Sequence, residues 1–318
     1  MAYSSERVLI IGANGQLGTE LVEALVARYG ESAVVASDVS PQSKRGFEGR
    51  YLQVDVLDRS AIMHLVEQGK FTQIYHLAAL LSARGEQQRE YAWKLNMEGL
   101  FNVLDAAHLF KVPRVFWPSS IAAFGPTTPR VQTPQHTIME PTTVYGISKQ
   151  AGEQWCNYYH TRLDVDVRSL RYPGLIGYKS LPGGGTTDYA VDIYYKALKE
   201  KFFTCFLKRD TYLPMMYMPD ALKATLDLMH ADTEKIKVRT SYNVSGMSFS
   251  PDEIVKAIQM HFPEFKVEYQ PDFRQAIADS WPESIDDSVA RTDWGWQPTY
   301  TLATMTEDML KEISKRQG

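Results

Sequence analysis

The sequence predicts an α/β fold, a doubly wound parallel sheet followed by a smaller C-terminal α/β domain that acts as a lid. Three observations carry that expectation. Short β-branched runs alternate with stretches of helical apolar spacing through the first half of the chain. The first run ends on a glycine-rich turn, Gly12-Ala-Asn-Gly15-Gln-Leu-Gly18. The alternation then breaks after Tyr172, where Pro173, Gly174, Gly177, Pro182 and Gly183-Gly-Gly185 interrupt it.

Each element follows from its residues. Arg7-Val-Leu-Ile-Ile11 reads as a buried strand stopped by Gly12. Leu17, Leu21, Ala24, Leu25 and Ala27 keep helical spacing between Gln16 and Tyr29, and Gly30 ends that helix. Ala33 to Ser37 is the second strand, ending at Asp38, before a polar loop with Pro41 and Gly46. A strand (51–54), a helix (59–68), a strand (73–77) and a long helix (88–110) follow, then a strand at Arg114-Val-Phe-Trp117. A Pro- and Thr-rich loop covers 125–143, a helix 145–160 and a strand 165–171. Strands alternating with helices in this way wind a parallel sheet with right-handed crossovers. Beyond it, a helix is expected over 188–199, and short strands at 215–218 and 242–244 flank a helix over 219–230. Ser250-Pro-Asp-Glu253 is a capping box that starts another helix, and 271–298 reads as irregular. The expected domains are a nucleotide-binding unit of 1–172 with a returning segment 214–245, and a substrate lid of 173–213 and 246–318.

Composition narrows the function. The chain has 318 residues, 44% hydrophobic and 23% charged, enough for one large or two coupled domains. A net charge of −4, with basic residues only in pairs such as Lys44-Arg45 and Lys208-Arg209, argues against nucleic-acid or anionic-membrane partners. Cys156 and Cys205 lack metal-ligand spacing, so no metal is expected and a reducing compartment is the default. No apolar run approaches the ~20 residues that span a bilayer, and Met1 to Glu6 leads straight into a strand, without the form of a signal peptide.

The glycine turn joins a strand to a helix N-terminus, where unpaired backbone N–H groups and the helix dipole hold pyrophosphate. Gly12 would make the tight turn, Gly15 would let backbone close on phosphate, and Gly18 would allow helix–strand packing. Asp38, twenty residues after Gly18, can accept both adenosine ribose hydroxyls and would repel a 2′-phosphate, which favours NAD over NADP.

Tyr145-Gly-Ile-Ser-Lys149 places a phenol and an ammonium one helical turn apart on one face. The ammonium stabilises a phenolate, which can take a hydroxyl proton while hydride leaves the same carbon. With 18 tyrosines a chance match is expected, and Tyr195-Lys-Ala-Leu-Lys199 is a second one. Tyr145 is preferred because it follows a strand and the hydroxyl pair Ser119-Ser120.

Gly12-x-x-Gly15-x-x-Gly18, His76-Leu-Ala-Ala79, Asn96, Ser119-Ser120 ahead of Phe124-Gly125, and Tyr145-x-x-x-Lys149 together resemble the extended short-chain dehydrogenase/reductases, built on a Rossmann-type sheet. Trp294-Gly-Trp-Gln-Pro298 is similar to their late Gly-Trp-x-Pro segment. Within that group, Arg171-Tyr-Pro-Gly-Leu-Ile-Gly177 and Pro182-Gly-Gly-Gly-Thr-Thr-Asp-Tyr189 resemble the short-chain-type L-threonine 3-dehydrogenases. Sugar-nucleotide enzymes usually carry Asn at Pro173-Gly174 and often Tyr at Phe124.

The resemblance implies oxidation of the threonine β-hydroxyl to 2-amino-3-oxobutanoate, with NAD as hydride acceptor. Ser120 would bond the substrate hydroxyl, Tyr145 would be the base, and Lys149 would hold the nicotinamide ribose. The cofactor would run past Gly12, Gly15, Gln16, Leu17, Gly18, Asp38, Asp55, Val56, Leu77, Ala78, Ala79, Asn96, Pro173 and Leu175. Asn96 would relay a proton from Lys149 through water, and Ser82, Thr186 and Asp188 would hold the amino acid. A homodimer through the helices around 88–110 and 145–160 is implied, as is coupling to a 2-amino-3-ketobutyrate CoA ligase. The compartment would be mitochondrial in a eukaryote and cytoplasmic in a bacterium.

Plainer roles stand beside these. His76 reads as a hydrogen-bonded core histidine in preference to a ligand, Asn96 as a solvated polar residue if not a relay, Arg171 as a carboxylate clamp or a buried ion pair, and Thr186-Thr187 as a substrate contact or a helix cap. Met215-Met-Tyr-Met218 reads as packing, and Trp281 as pocket lining or a surface anchor; Gly183 to Gly185 would be a hinge. Two other functions compete: a nucleotide-sugar epimerase or dehydratase, and a catalytically silent NAD-sensing module.

Overall fold

The computed structural model describes residues 6–43, 47, 49–181 and 185–317. Pro182, Gly183 and Gly184, most of the expected hinge, lie outside the described residues, as do Lys44, Arg45 and Gly46. The chain runs β1 (Val8–Ile11), α1 (Gln16–Tyr29), β2 (Val34–Asp38), β3 (Arg50–Gln53), α2 (Arg59–Gly69), β4 (Gln73–His76), α3 (Ser82–Gln87), α4 (Arg89–Leu109) and β5 (Arg114–Ser120). It continues through α5 (Val144–Leu163), β6 (Val167–Tyr172), β7 (Gly174–Ile176), α6 (Tyr189–Lys199), β8 (Phe202–Cys205), β9 (Leu213–Tyr217), α7 (Met218–His230) and β10 (Tyr242–Asn243). The last elements are β11 (Met247–Phe249), α8 (Pro251–Gln259), β12 (Lys266–Tyr269), α9 (Arg274–Asp279), α10 (Ser288–Trp294) and α11 (Leu302–Gln317).

Seven strands form the main sheet in the order β10-β6-β5-β4-β1-β2-β3. β1 pairs in parallel with β2 on one side and β4 on the other, so the order of winding reverses between β1 and β4. Loops leaving the carboxyl ends of those two strands diverge and open a crevice, the usual ligand position in such sheets. One face of the sheet packs on α2, α4 and α5 through Leu9, Ile11, Ile74, Val115, Trp117 and Val167 against Ile62, Val66, Leu100, Val103, Leu104 and Cys156. Each such apolar side chain, fully buried, contributes about 1.5–3 kcal/mol. α5 approaches β5 closely because Gly152 lies beneath Trp117; a Cβ there would sit 2.4 Å from the indole.

The chain divides into two compact units. The first comprises 1–119, 143–170 and 225–242; the second comprises 120–142, 171–224 and 243–318. These bounds depart from the expected ones, because the loop of 120–142 belongs with the C-terminal part. Thr133 bridges to Ile285, its N–H donating to Ser284 O, and Arg130 donates to Trp281 O and pairs with Glu283. Residues 214–224 join the second unit because β9 pairs there with β7 and β11.

Several elements differ from the sequence reading. The strand from Arg114 runs on to Ser120 across Pro118, and α3 precedes the long helix. The segment 271–298 is not wholly irregular but holds α9 and α10, each too short to show a helical period. β7 and β11 have three residues each, below the length at which alternation can be read, and the four-residue β8 and β12 are further strands absent from the sequence reading. α8 has the expected capping box between Ser250 and Glu253.

Candidate active site

In the first unit, Ile11, Gly12, Gly15, Asp38, Val39, Val54, Asp55, Val56, Leu77, Ala78, Ala79, Tyr91 and Leu95 line one cleft of about 210 Å³. It lies at the switch point between β1 and β4. Gly12 has φ +88°, and a Cβ on it would come within 2.6 Å of the Ala78 nitrogen, so no other residue fits without displacing the β4 loop. Gly15 is exposed at the N-cap of α1, with no side-chain cap and no acid in the first turn, which leaves the helix N–H groups facing the cleft side open. Gln16 and Leu17 follow in that turn, half-buried. Gly18 packs on the turn itself rather than on a strand, since its Cβ would meet Gly12 O at 2.3 Å.

Asp38 is held in place before any ligand arrives. One carboxylate oxygen accepts from Asn14 N at 3.1 Å and the other from Ser40 N at 3.1 Å. Asn14 also donates to Gln42 O and Tyr51 Oη, and Tyr51 donates to Ser40 O at 2.7 Å. The carboxylate therefore keeps lone pairs for further donors while its direction is set by the loop.

Tyr145 is half-buried in the first turn of α5. That turn is fixed three ways: Thr143 caps it by accepting from Gly146 N, Glu86 accepts from Val144 N at 2.8 Å, and Ser148 Oγ donates to Tyr145 O at 2.7 Å. Lys149, 3% exposed, lies with its Nζ 5.5 Å from the Tyr145 ring centre and 4.4 Å from that of Trp117. Its ammonium donates to Pro118 O at 2.6 Å. Burial lowers its pKa to about 7, against partial opposition from Cys156 and Glu153. Asn96 bridges two segments of the first unit. Its amide oxygen accepts from Leu80 N, and its Nδ2 donates to Leu80 O and to Ser148 Oγ, so it anchors the loop after Ala79 and the first turn of α5. His76 is a core histidine, but not a hydrogen-bonded one: both ring nitrogens are buried without a partner, and burial lowers its pKa to about 3. Ser82 is buried at the start of α3.

In the second unit, Ser120 ends β5 and its Oγ accepts from Ala122 N at 3.2 Å. Pro173 is buried ahead of β7, which contains Leu175. Thr186 is not a helix cap: its Oγ1 is buried and unpartnered, as is the hydroxyl of Tyr189. Asp188 accepts from Gly185 N at 2.7 Å. Arg171 donates to Gln135 O and Asn243 Oδ1 and lies 5.1 Å from the Phe124 ring centre. Trp281 is buried rather than a surface anchor. Tyr195 of the second Tyr-x-x-x-Lys match donates to Tyr178 O at 2.7 Å.

Residues 8–245 match the model of the NAD dependent epimerase/dehydratase family. The chain belongs to that family. An uncharacterized epimerase/dehydratase of Staphylococcus haemolyticus is 49% identical over 98% of this chain and 99% of its own length. Among solved structures, the holo form of a GalE-like L-threonine dehydrogenase from Cupriavidus necator is 56% identical with a TM-score of 0.95, covering 96% of this chain and 99% of that one. L-threonine dehydrogenase from Clostridium difficile is 44% identical with a TM-score of 0.96, covering 98% of both. A nucleoside-diphosphate-sugar epimerase from Agrobacterium tumefaciens, at 21% identity and a TM-score of 0.87, shares the fold alone.

As a member of the NAD dependent epimerase/dehydratase family, the protein uses NAD, and the cleft suits it. The cradle at Gly12 that a Cβ would fill, the uncapped start of α1 and the oriented Asp38 match pyrophosphate and adenosine ribose in turn. Sequence reasoning missed Thr143, Glu86, Ser148 and Glu153. Thr143 carried a readable signal, a capping residue just ahead of the helix. Glu153 stands at i+4 from Lys149, a spacing that could have been read.

Proposed function

We propose that this protein oxidises the β-hydroxyl of L-threonine to 2-amino-3-oxobutanoate. The observation that carries the reading is near full-length likeness to L-threonine dehydrogenases at 44–56% identity, in a chain that keeps Ser120, Tyr145 and Lys149. Bound NAD supplies the hydride acceptor. Tyr145 is the base that removes the hydroxyl proton, and Ser120 orients that hydroxyl. Lys149, desolvated under Trp117 and one turn from Tyr145, favours the phenolate by its charge. Ser82, Thr186 and Asp188 hold the amino acid; a buried Thr186 Oγ1 without a partner supports that role, since an orphaned hydroxyl costs stability unless a ligand satisfies it.

The test is NADH formation with L-threonine against other hydroxy-amino acids and sugar nucleotides. Turnover with threonine at millimolar levels is expected; none at that concentration, or tight binding of a nucleoside diphosphate, rejects the substrate. We further propose a homodimer through α4 and α5, where Trp93, Ile147, Trp155 and Tyr158 are exposed. Sedimentation as a monomer at micromolar concentration rejects it, and one structural relative, 44% identical, is described as monomeric. A ligase that consumes 2-amino-3-oxobutanoate is the proposed functional partner.

A further inference from the structure

Two successive turns of α5 reach two successive residues of β5. Lys149 Nζ donates to Pro118 O at 2.6 Å, and Glu153 Oε1 accepts from Ser119 Oγ at 2.6 Å. Glu153 is wholly buried, with 0% exposure, and a carboxylate in such a place needs a counter-charge and hydrogen bonds. Lys149, four residues earlier on the same face, is equally enclosed.

Among the described residues, six groups surround the Lys149 ammonium. Tyr145, Glu153 and Cys156 belong to its own helix, the Trp117 ring and Pro118 carbonyl to β5, and His76 to β4. Burial holds the His76 imidazole neutral and pushes the Cys156 thiol far above its ordinary value. Tyr145 is the group whose charge the reaction changes. Glu153 is the carboxylate that favours the ammonium form of the lysine.

We infer that Glu153 is a positioning residue for the reaction: its carboxylate keeps Lys149 an ammonium, and its bond to Ser119 fixes the strand end from which Ser120 follows. The inference rests on the Tyr145–Lys149 reading above. Glu153 also repels a Tyr145 phenolate directly, but across eight residues, about 12 Å of helix rise against about 6 Å for Lys149. The effect through the lysine therefore dominates.

The test separates charge from shape. Glu153→Gln keeps the acceptor for Ser119 and removes the charge. The acidic limb of the kcat/KM profile should move to higher pH by about 0.5 unit or more, with activity recovering above the shifted limb. Ser119→Ala loses the bond and keeps the charge, so kcat should fall with the limb in place. Independently of substrate, the Tyr145 titration can be read as the tyrosinate absorbance difference between each protein and its Tyr145→Phe counterpart. It should shift upward in the Gln variant by a similar amount. This readout stands even if threonine proves not to be the substrate. A limb and a titration unmoved in Glu153→Gln overturn the inference. If that variant does not fold, Glu153→Asp should keep the wild-type titration, and a shifted one is equally fatal.

Discussion

Helices α5 and α6 each carry a tyrosine and a lysine one turn apart, in very different surroundings. On α5, Lys149 is buried under an indole and bonded to a strand carbonyl, and the turn holding Tyr145 is pinned by Thr143, Glu86 and Ser148. On α6, Lys199 is exposed, and the Tyr195 hydroxyl is committed to the carbonyl of Tyr178. Identical spacing thus gives a buried lysine beside a pinned tyrosine in one place and a helix surface in the other. The difference comes from the neighbouring strand. β5 runs beside α5 closely enough, through Gly152, to strip water from the lysine.

The comparison is broken most directly by removing each phenol. Tyr145→Phe should lower kcat by about 10²–10⁴-fold, whereas Tyr195→Phe should leave NADH formation within twofold, of the order of assay scatter on the free-energy scale; comparable losses in steady-state assays would erase the distinction. Lys149→Met should likewise cost about 10²-fold or more in kcat/KM. Removing the lysine also leaves the buried Glu153 carboxylate without its counter-charge, so the informative quantity is how wild-type stability changes with pH relative to the variant. The sign follows from linkage: Lys149 has a folded pKa of about 7, below the ~10.4 of an unfolded lysine. Below pH 7 both states hold the proton and the buried ammonium is a full burden on folding. That burden shrinks as pH rises toward 10.4, where both states are neutral. The wild-type melting temperature should rise relative to the variant's along that range, and a relative fall with pH contradicts the assignment.

Smaller effects sharpen the picture at the cofactor and substrate ends. Asp38→Asn should weaken NAD binding by about 10- to 100-fold, the worth of hydrogen bonds to a charged acceptor; calorimetric titration with NAD checks it, and an unchanged Kd removes Asp38 from the site. Thr186→Val should raise the KM for threonine by about 3- to 10-fold without touching NAD affinity. It should also stabilise the unliganded protein slightly, because an orphaned hydroxyl is removed.

Much of the cofactor side was legible because its chemistry is local. Gly12, Gly15 and Asp38 stand at ends of β-branched runs, and the structure places all three on one cleft. Tyr145 and Lys149 were legible as a spacing, and context chose between the two matches. Other features depend on contacts remote in sequence. Glu153 meets Ser119 across 34 residues, and Asn96 meets Ser148 across 52, so their partners could not be read along the chain. The missing hydrogen bonds of His76 were likewise out of reach, because a buried histidine usually finds a partner. In the second unit β7 and β11 are too short for a period, and the loop of 120–142 reveals its allegiance only through distant pairs such as Thr133 with Ile285.

The anchoring of Asp38 has a consequence for how this protein can change. Its two oxygens serve Asn14 and Ser40, and Asn14 in turn holds Gln42 and Tyr51. A switch of coenzyme preference toward a 2′-phosphate therefore involves more than charge. Replacing the aspartate alone takes the acceptor from the Asn14 and Ser40 N–H groups, in two loops at once, so an evolving lineage or a protein engineer must supply another partner for both.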